Sequence, residues 1–272
     1  MMPTRAGRSV VLALLLAGCT PAGPASPPPV DPAGRVTRLA DEYVSRYFQR
    51  SPEAATRRGL PADNGGVVDN SLAAVADWRL REDRWLRELR QVDTTELASG
   101  PAWAIYGILR ELLEDSVATR VCRNELWSLN TNITGWQSQY TSLLGLQPVG
   151  TDSLRGQAIA RVRALPRFLR TEQTNLREGI RRGYVAPRTT VEAIVRQLDG
   201  LLATPTDSSP FASPAARDSS PAFRAAYLRA VAEELLPAIT TYRRFLVSDY
   251  LPHARTAIGV SANPDGMACY QA

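Results

Sequence analysis

Residues 152–183 read DSLRGQAIARVRALPRFLRTEQTNLREGIRRG, and this stretch decides the fold class. Its apolar residues recur with the period of a helix and do not alternate as they would in a strand. Pro166 predicts a break or bend, because proline has no N–H to donate. Gly183 fits the position just after a helix, where glycine readily adopts a left-handed conformation. The pattern therefore predicts one long amphipathic helix from Asp152 to Arg182.

The rest of the chain repeats this helical pattern in both directions. Further helices are predicted over residues 35–50, 52–59, 71–92, 101 onwards, 191–202 and 221–250, the last with a bend at Pro237. The helix after Pro101 is expected to turn Ile105, Ile108, Leu109, Leu112 and Leu113 inward. Residues 123–150 lose the clean period, and residues 204–221 are typical of an exposed loop. The sequence predicts an all-α domain of about eight to ten helices with an irregular segment rich in Trp and Asn.

The N-terminus has the features of an export signal. Arg5 and Arg8 precede a short apolar run that is too brief to span a membrane. Leu16–Cys19 resembles a bacterial lipobox, in which Cys19 is lipidated; the alternative is an ordinary secretory signal with an incidental cysteine. We therefore predict a lipoprotein signal peptide at 1–18, a Pro-rich tether at 19–34 and a helical domain at 35–272. The predicted location is the cell envelope, with a lipid anchor in the outer membrane facing the periplasm.

Composition excludes several classes of function. All 32 basic residues are Arg and none is Lys, so neither a Schiff-base lysine nor a P-loop lysine exists. The arginines alternate with acids, as in RLREDRWLRELR, rather than forming basic blocks. This pattern is typical of solvated helix faces, and we predict no nucleic-acid partner.

The single histidine, His253, limits the chemistry further. A zinc site of the His-Glu-x-x-His kind needs two imidazoles one helical turn apart. A Ser-His-Asp triad would have to combine His253 with Ser261 and Asp249, without the strand and turn of a nucleophile elbow. The sequence therefore assigns no catalytic residue and no metal ligand.

Two cysteines remain after Cys19. Cys122 and Cys269 form an even pair in an exported chain, which favours a disulfide over two free thiols.

The irregular segment contains the candidate binding residues. Trp127, Asn130, Trp136 and Tyr140 lie close together in sequence, next to Gly135. Aromatic rings with neighbouring amides can line a groove for a peptide or a sugar. The alternative is that the tryptophans fill gaps in the core beneath an irregular loop.

Several motifs together resemble a known family. They are SPEAATRRGL, CRNELWSLN with TGW, VRALPRFLRTEQTNLREGIRRGYVAP, FRAAYLRA with LLPAI, and the final YLPHARTAIGVSANPDGMACYQA. In this order the motifs resemble the bacterial family of domain of unknown function 885. The resemblance implies a mostly helical, exported protein related to zinc metallopeptidases of the gluzincin kind. It also implies that Cys122 and Cys269 pair.

Members of that family are usually longer, and the resemblance places their metal site after the segment that holds Pro264, Gly266 and Tyr270. Zinc is therefore expected only for full-length relatives, and no cofactor is expected in this chain. The resemblance carries over only one wall of a substrate cleft: Trp127, Asn130, Trp136, Pro264, Gly266 and Tyr270.

Two hypotheses follow. The first is an N-terminal, substrate-cleft half of a metallopeptidase-like protein, inactive alone and completed by a complementary C-terminal half. The second is a self-sufficient binding or scaffold lipoprotein of the envelope, with a groove for a peptide or a sugar. The first predicts a large exposed apolar patch around the final helix, which a self-sufficient monomer would not show.

Overall fold

The structure is a computed structural model that describes residues 31–60, 63–97 and 100–272. The predicted signal peptide, Cys19 and nearly all of the tether lie outside the described residues. Within these ranges the protein is 76% helical and has no strands, which confirms the all-α prediction. None of the described helices is both long enough and apolar enough to cross a bilayer.

The described residues form the following α-helices: α1 (Pro32–Arg50), α2 (Pro52–Arg57), α3 (Leu72–Arg90), α4 (Pro101–Thr119), α5 (Trp136–Leu146), α6 (Asp152–Arg182), α7 (Arg188–Ala203), α8 (Ser213–Arg217), α9 (Pro221–Ala230), α10 (Leu236–Phe245) and α11 (Gly266–Gln271). Eight of them have seven residues or more, which agrees with the predicted number. Short 3₁₀ turns join several of them.

Three N-terminal helices, α1, α3 and α4, share a small core of their own. Its fully enclosed side chains include Val36, Leu39, Trp85, Leu89 and Leu113. The buried carboxylate of Glu82 joins α3 to α4, because it accepts hydrogen bonds from Trp78 Nε1 (2.6 Å), Ser116 Oγ (2.8 Å) and Arg120 Nη2 (3.1 Å). Burying this charge is tolerated because it is both paired and hydrogen-bonded.

The larger core surrounds α6. This helix runs without interruption from Asp152 to Arg182, and Gly183 follows it with a φ of 81°, as predicted. The predicted break at Pro166 is absent. Both halves of α6 bury apolar side chains in the same core, which offsets the hydrogen bond that Pro166 cannot donate. The core is formed mainly by Leu165, Leu169, Leu176, Leu235, Tyr227, Tyr242 and Phe245.

The long C-terminal helix is interrupted by widened turns. Val231–Leu235 and Leu246–Tyr250 are π-helical and continue α9 into α10 and beyond. The first π segment lies immediately before Pro237, and the Leu236 N–H bonds to the Val231 carbonyl. The irregularity predicted at Pro237 therefore takes the form of a π segment, a common accommodation within helices.

Four boundary or exposure predictions are wrong in detail. First, α1 begins at Pro32, so residues 32–34 belong to the helix rather than to the tether. Proline suits the first helical position because its φ is already set and its missing N–H would have no partner there.

Second, residues 204–221 are not an exposed loop. They form 3₁₀ turns and α8, with Phe211 and Ala215 in the large core. Asp218 is buried and accepts hydrogen bonds from Arg155 Nε and from the Gly150 N–H. The composition of the segment, rich in Ser and Pro, did not indicate that a few of its side chains are buried in the core.

Third, the irregular stretch 123–150 contains the regular helix α5. Its period was obscured because polar side chains, including Gln137, are buried on the inner face beside Tyr140 and Leu143.

Fourth, Ile108 and Leu112 of α4 are 62% and 49% exposed. The inner face of α4 consists of Tyr106, Leu109 and Leu113 instead. Helices α1 and α3 are its main neighbours, so a single face of α4 is covered.

The end of the chain is fastened to the body of the domain. Cys122, in the 3₁₀ turn after α4, forms a disulfide with Cys269 of α11, which confirms the predicted pair. The preceding turn places Asp265 at a φ of 54°, and the Asp265 carboxylate accepts a hydrogen bond from Tyr184 Oη at 3.1 Å.

Candidate functional site

A cavity of about 720 Å³ opens where α2, α5 and α6 meet. Its volume lies within the roughly 300–1,000 Å³ usual for small-molecule sites. One part of the lining is polar and consists of Ser128, Asn130, Thr134, Gln137, Ser138 and Gln139. The apolar part consists of Val68, Leu129, Ile133, Trp136, Phe168 and Ile194. Glu53, Tyr140, Glu172, Arg57 and Arg58 add ionisable groups.

A network of side-chain amides shapes the polar wall. Gln137 is buried and donates to the Asn130 carbonyl (2.9 Å) and to Gln197 Oε1 (2.8 Å). Gln197, on α7, donates in turn to the Thr131 carbonyl at 2.9 Å. Gly135 allows this close approach, because a Cβ there would lie 2.1 Å from the Asn130 carbonyl oxygen. The loop before α5 is therefore held in one position at the rim of the cavity.

Trp136, the first residue of α5, links the cavity to the core. Its ring meets Tyr242 edge to face, with 5.5 Å between the centroids, while the side chain also lines the cavity. Trp136 is thus at once a packing residue and a residue of the cavity lining, and its part in binding a ligand stays a prediction.

The pKa of Glu172, an acid of the cavity that lies on α6, is strongly shifted. Asn70 Nδ2 donates to Glu172 Oε2 at 3.0 Å, and this is the only hydrogen bond to the carboxylate among the described residues. No arginine in that part of the chain forms an ion pair with it. Burial raises the pKa of Glu172 to about 7, although the Asn70 hydrogen bond acts in the opposite direction.

Tyr140 and Glu53 form a second polar pair in the lining. Tyr140 Oη donates to Glu53 Oε1 at 2.7 Å, and the Val68 N–H donates to the same oxygen at 2.7 Å. Burial raises the pKa of Tyr140, and the nearby Glu53 carboxylate raises it further. The phenol therefore stays protonated and orients Glu53.

Behind this pair lies Arg161, whose side chain is fully buried. Its guanidinium donates to the Gly66 carbonyl (2.9 Å), Gln147 Oε1 (2.5 Å) and Thr56 Oγ1 (3.0 Å). Burial lowers the pKa of Arg161, and the charge of Glu53 opposes that effect. Arg161 thus connects the loop after α2 to α6 and partly balances the charge of Glu53.

A wider hollow of about 940 Å³ lies on the other side of α2, and two of its arginines already interact with other side chains. Within it, Arg81 Nε is 3.2 Å from Asp77 Oδ2, and the Arg50 guanidinium lies over the Trp78 ring at 4.9 Å. The smaller cavity, with Glu172 facing into it, is therefore the better candidate site.

The predicted cleft residues separate into two groups. Asn130 and Trp136 line the cavity. Trp127, Pro264, Gly266 and Tyr270 are absent from its lining and lie near the disulfide and the C-terminal segment.

Contacts of the second group are mainly structural. Trp127 Nε1 donates to the Cys122 carbonyl at 2.8 Å, and the Arg255 guanidinium lies over its ring at 5.6 Å. Gly266 is buried where a Cβ would meet the Val260 carbonyl oxygen at 2.2 Å, whereas Tyr270 is 76% exposed. A ligand-binding role for any of the six residues stays a prediction.

Metal ligands do not converge in the described residues. No three His, Cys, Asp or Glu side chains there are grouped as a metal ion would require. His253 is exposed at the end of a 3₁₀ turn. The residues present in this part of the chain do not fit the zinc site that the family resemblance implies for longer proteins.

Sequence reasoning missed Glu53 and Glu172. One signal was available for Glu172, because Leu165, Leu169, Glu172 and Leu176 follow the four-three-four spacing of a buried helical stripe. An acid within such a stripe indicates either a buried partner or a polar cavity. Glu53 carried no comparable signal, since acids are common in the first turn of a helix.

Comparison with known proteins agrees with this fold. A crystal structure of a Colwellia psychrerythraea protein, described as a proposed lipoprotein, superposes with a TM-score of 0.67 at 14% sequence identity. The match covers 89% of this chain and 45% of the Colwellia chain, so this chain spans about half the length of that protein. No curated protein matches the sequence. Residues 52–272 match the family model described as "Bacterial protein of unknown function (DUF885)". The chain therefore belongs to the DUF885 family.

Proposed function

We propose that this chain is an exported, lipid-anchored protein of the cell envelope whose helical domain binds a short peptide in the cavity between α2, α5 and α6. The anchor is Cys19, in the outer membrane and facing the periplasm. The observation that carries the binding proposal is the cavity itself, whose ordered amide wall faces an apolar wall across a volume of about 720 Å³.

A peptide suits this division of the lining better than a sugar does. Peptide backbones offer N–H and C=O groups to the amides of Asn130 and Gln139, while peptide side chains contact Phe168 and Ile194. A sugar exposes hydroxyl groups around its whole edge and would leave some of them unpaired against the apolar wall.

Within the family resemblance, this cavity would form part of a substrate cleft in a metallopeptidase-like protein. We derive no hydrolytic step, because the described residues do not fit a zinc site. The expected result for the purified chain is peptide binding without hydrolysis, with or without added zinc.

Binding can be tested with a rim variant and a matched control. Ile133 lines the cavity and is 83% exposed, so Ile133→Arg should obstruct the entrance without disturbing the core. Ile108 is 62% exposed and does not line the cavity, so Ile108→Arg is the control.

The measurement is calorimetric titration with a library of tripeptides and, separately, with mono- and disaccharides. We expect tripeptides to bind the wild type and the control and to bind Ile133→Arg at least tenfold more weakly. Binding of sugars alone, or equal binding of peptides to both variants, would refute the proposal.

A second proposal concerns a partner, and the surface of the C-terminal segment favours it. Ile258, Met267 and Tyr270 are 76%, 58% and 76% exposed, although each is large and apolar. We propose that a complementary helical region packs on these side chains. The match covers only 45% of the Colwellia protein, so that protein has further chain of sufficient length for such a region.

The partner surface can be tested by the fluorescence of a hydrophobic dye such as ANS and by sedimentation. We expect Met267→Ser with Tyr270→Ser to reduce dye binding and self-association, while Ile108→Ser, on exposed α4, leaves both unchanged. A wild-type chain that binds no dye and remains monomeric would support a self-sufficient binding protein instead.

A further inference from the structure

Glu172 lacks a cationic partner in a chain that is rich in arginine. In the described residues nearly every other partly buried acid accepts from an arginine, as Glu82 and Asp218 do. Glu172 accepts only from Asn70, and its second oxygen, Oε1, has no hydrogen-bond donor in that part of the chain. Since Glu172 lines the cavity, this free oxygen is available to a ligand.

Two arginines, Arg57 and Arg58, also line the cavity, but both bond to groups other than Glu172. Arg57 Nη2 donates to the Gln139 carbonyl at 2.6 Å. Arg58 lies over the Phe48 ring at 5.5 Å and donates to the Ala54 carbonyl at 3.3 Å. Neither residue forms an ion pair with Glu53 or Glu172 within the described ranges.

The charge of Glu53, unlike that of Glu172, is already partly compensated. Its Oε1 already accepts from Tyr140 and from a backbone N–H, and the buried Arg161 compensates part of its charge. Of the two acids in the cavity, Glu172 is therefore the one that no arginine of the described residues pairs with or compensates.

The rest of the lining near Glu172 suits a cation. The Tyr140 and Phe168 rings pack edge to face with 5.4 Å between their centroids, and Trp136 lines the same cavity. Aromatic faces attract ammonium groups, and the attraction is stronger where water is excluded. A carboxylate beside aromatic rings, with no arginine bonded to it, therefore favours a positively charged group.

We propose that Glu172 binds the primary ammonium group of a peptide ligand, with Tyr140, Phe168 and Trp136 forming the surrounding aromatic wall. This inference rests on the proposed peptide-binding function and specifies its ligand class. The ammonium group belongs either to a free amino terminus or to a lysine-like side chain, and the experiment separates these sources.

Three probes with the same blocked carboxyl end distinguish the sources: Ala-Ala-Ala amide, N-acetyl-Ala-Ala-Ala amide and N-acetyl-Ala-Lys-Ala amide. Each is titrated into the full mature chain near pH 8, into Glu172→Gln and into Glu178→Gln. Glutamine retains an acceptor for Asn70, so the first variant should fold. Glu178 is the matched control, because it lies on the same helix but pairs with Arg181 and Arg182 outside the cavity.

We expect at least one amine-bearing probe to bind the wild type and Glu178→Gln tenfold or more tightly than the acetylated neutral probe does. Glu172→Gln should lose that preference, because the charge-assisted hydrogen bond is gone. Preference for Ala-Ala-Ala amide would identify the amino terminus as the source, and preference for the lysine probe would identify the side chain.

The outcomes also separate this inference from the function on which it rests. Equal binding of all three probes, unchanged by Glu172→Gln, would overturn the ammonium proposal and leave peptide binding intact. If neither these probes nor the tripeptide library binds, the peptide-binding function itself fails and the inference fails with it.

Discussion

Replacing Glu172 by glutamine should stabilise the protein at alkaline pH and have little effect in mild acid. The carboxyl has a pKa of about 7 in the folded chain, against an ordinary value of 4.5, because burial disfavours its charged form. The folded state therefore binds the Glu172 proton more tightly than the unfolded state does. Stability from this group is fully present below pH 4.5 and is lost as the pH rises through 7.

The size of the effect follows from the pKa difference. Each pKa unit corresponds to ~1.4 kcal/mol, so ionised Glu172 costs the folded state about 3 kcal/mol above pH 7. Most of this cost, about 2–3 kcal/mol, develops between roughly pH 5 and pH 8.5. The glutamine in the Glu172→Gln variant cannot ionise, so this variant should not incur that free-energy cost. In a domain of this size, that gain corresponds to a rise in Tm of roughly 5–10 °C near pH 8.5.

Other groups that face Glu172 do not titrate in this range. Tyr140, Tyr242 and Tyr250 interact electrostatically with Glu172, and burial raises the pKa of each of them, that of Tyr250 to about 12. All three therefore remain neutral, and their contribution to stability is constant.

The assay is urea denaturation of the wild type and Glu172→Gln across this pH range. Glu178→Gln is the control, because its arginine partners lower the pKa of Glu178 to about 2 and its charge is constant throughout. A difference between wild type and Glu172→Gln that does not change with pH would refute the reasoning, since it would show that Glu172 ionises normally in the folded chain.

Three further predictions concern the frame of the site. Gly135→Ala should lower the denaturation midpoint and weaken ligand binding, because the new Cβ would lie 2.1 Å from the Asn130 carbonyl oxygen; an unchanged midpoint would contradict this. Replacing Cys122 and Cys269 by serine should cost about 4–5 kcal/mol in the chain-entropy model for so long a loop, measured by thermal denaturation with reduced wild type as the comparison. Arg161→Met should cost about 3–5 kcal/mol, because its three acceptors lose their buried donor; a urea midpoint equal to that of the wild type would disprove it.

The fold was predictable wherever one face of a helix is buried and the other is solvated. The apolar stripe of α6 predicted helix bounds that the structure confirms, and Ser71 and Ser220 cap α3 and α9 at the predicted starts of those helices. The failures share a physical cause. In α5 and in residues 204–221 a few buried side chains, such as Gln137 and Phe211, determine the packing, and a periodic pattern cannot reveal so few anchors.

The candidate site was predictable only in part, because its residues meet through long-range packing. The irregular segment was singled out for its Trp and Asn residues, and Asn130 and Trp136 do line the cavity. Glu53 on α2 and Glu172 on α6 come from distant parts of the chain. Tyr140 of α5 connects them, because it bonds to Glu53 and packs against Phe168 of α6. The spacing of these residues in the sequence does not predict that long-range packing.

The cost of Glu172 is itself an argument for function. The Leu165, Leu169 and Leu176 positions of the same stripe show that an apolar residue at 172 would continue the core, without the cost of burying an acid. The position is not simply structural either, because the Asn70 bond could be kept by a neutral glutamine. A carboxylate that destabilises the fold when ionised, and that lines a cavity with no arginine bonded to it, gains its advantage only when a positively charged group enters. The energetic cost of ionised Glu172 and its missing cationic partner therefore point to the same ligand chemistry. The cost is testable on the folded chain alone, whereas the partner is testable only in a complex with a ligand.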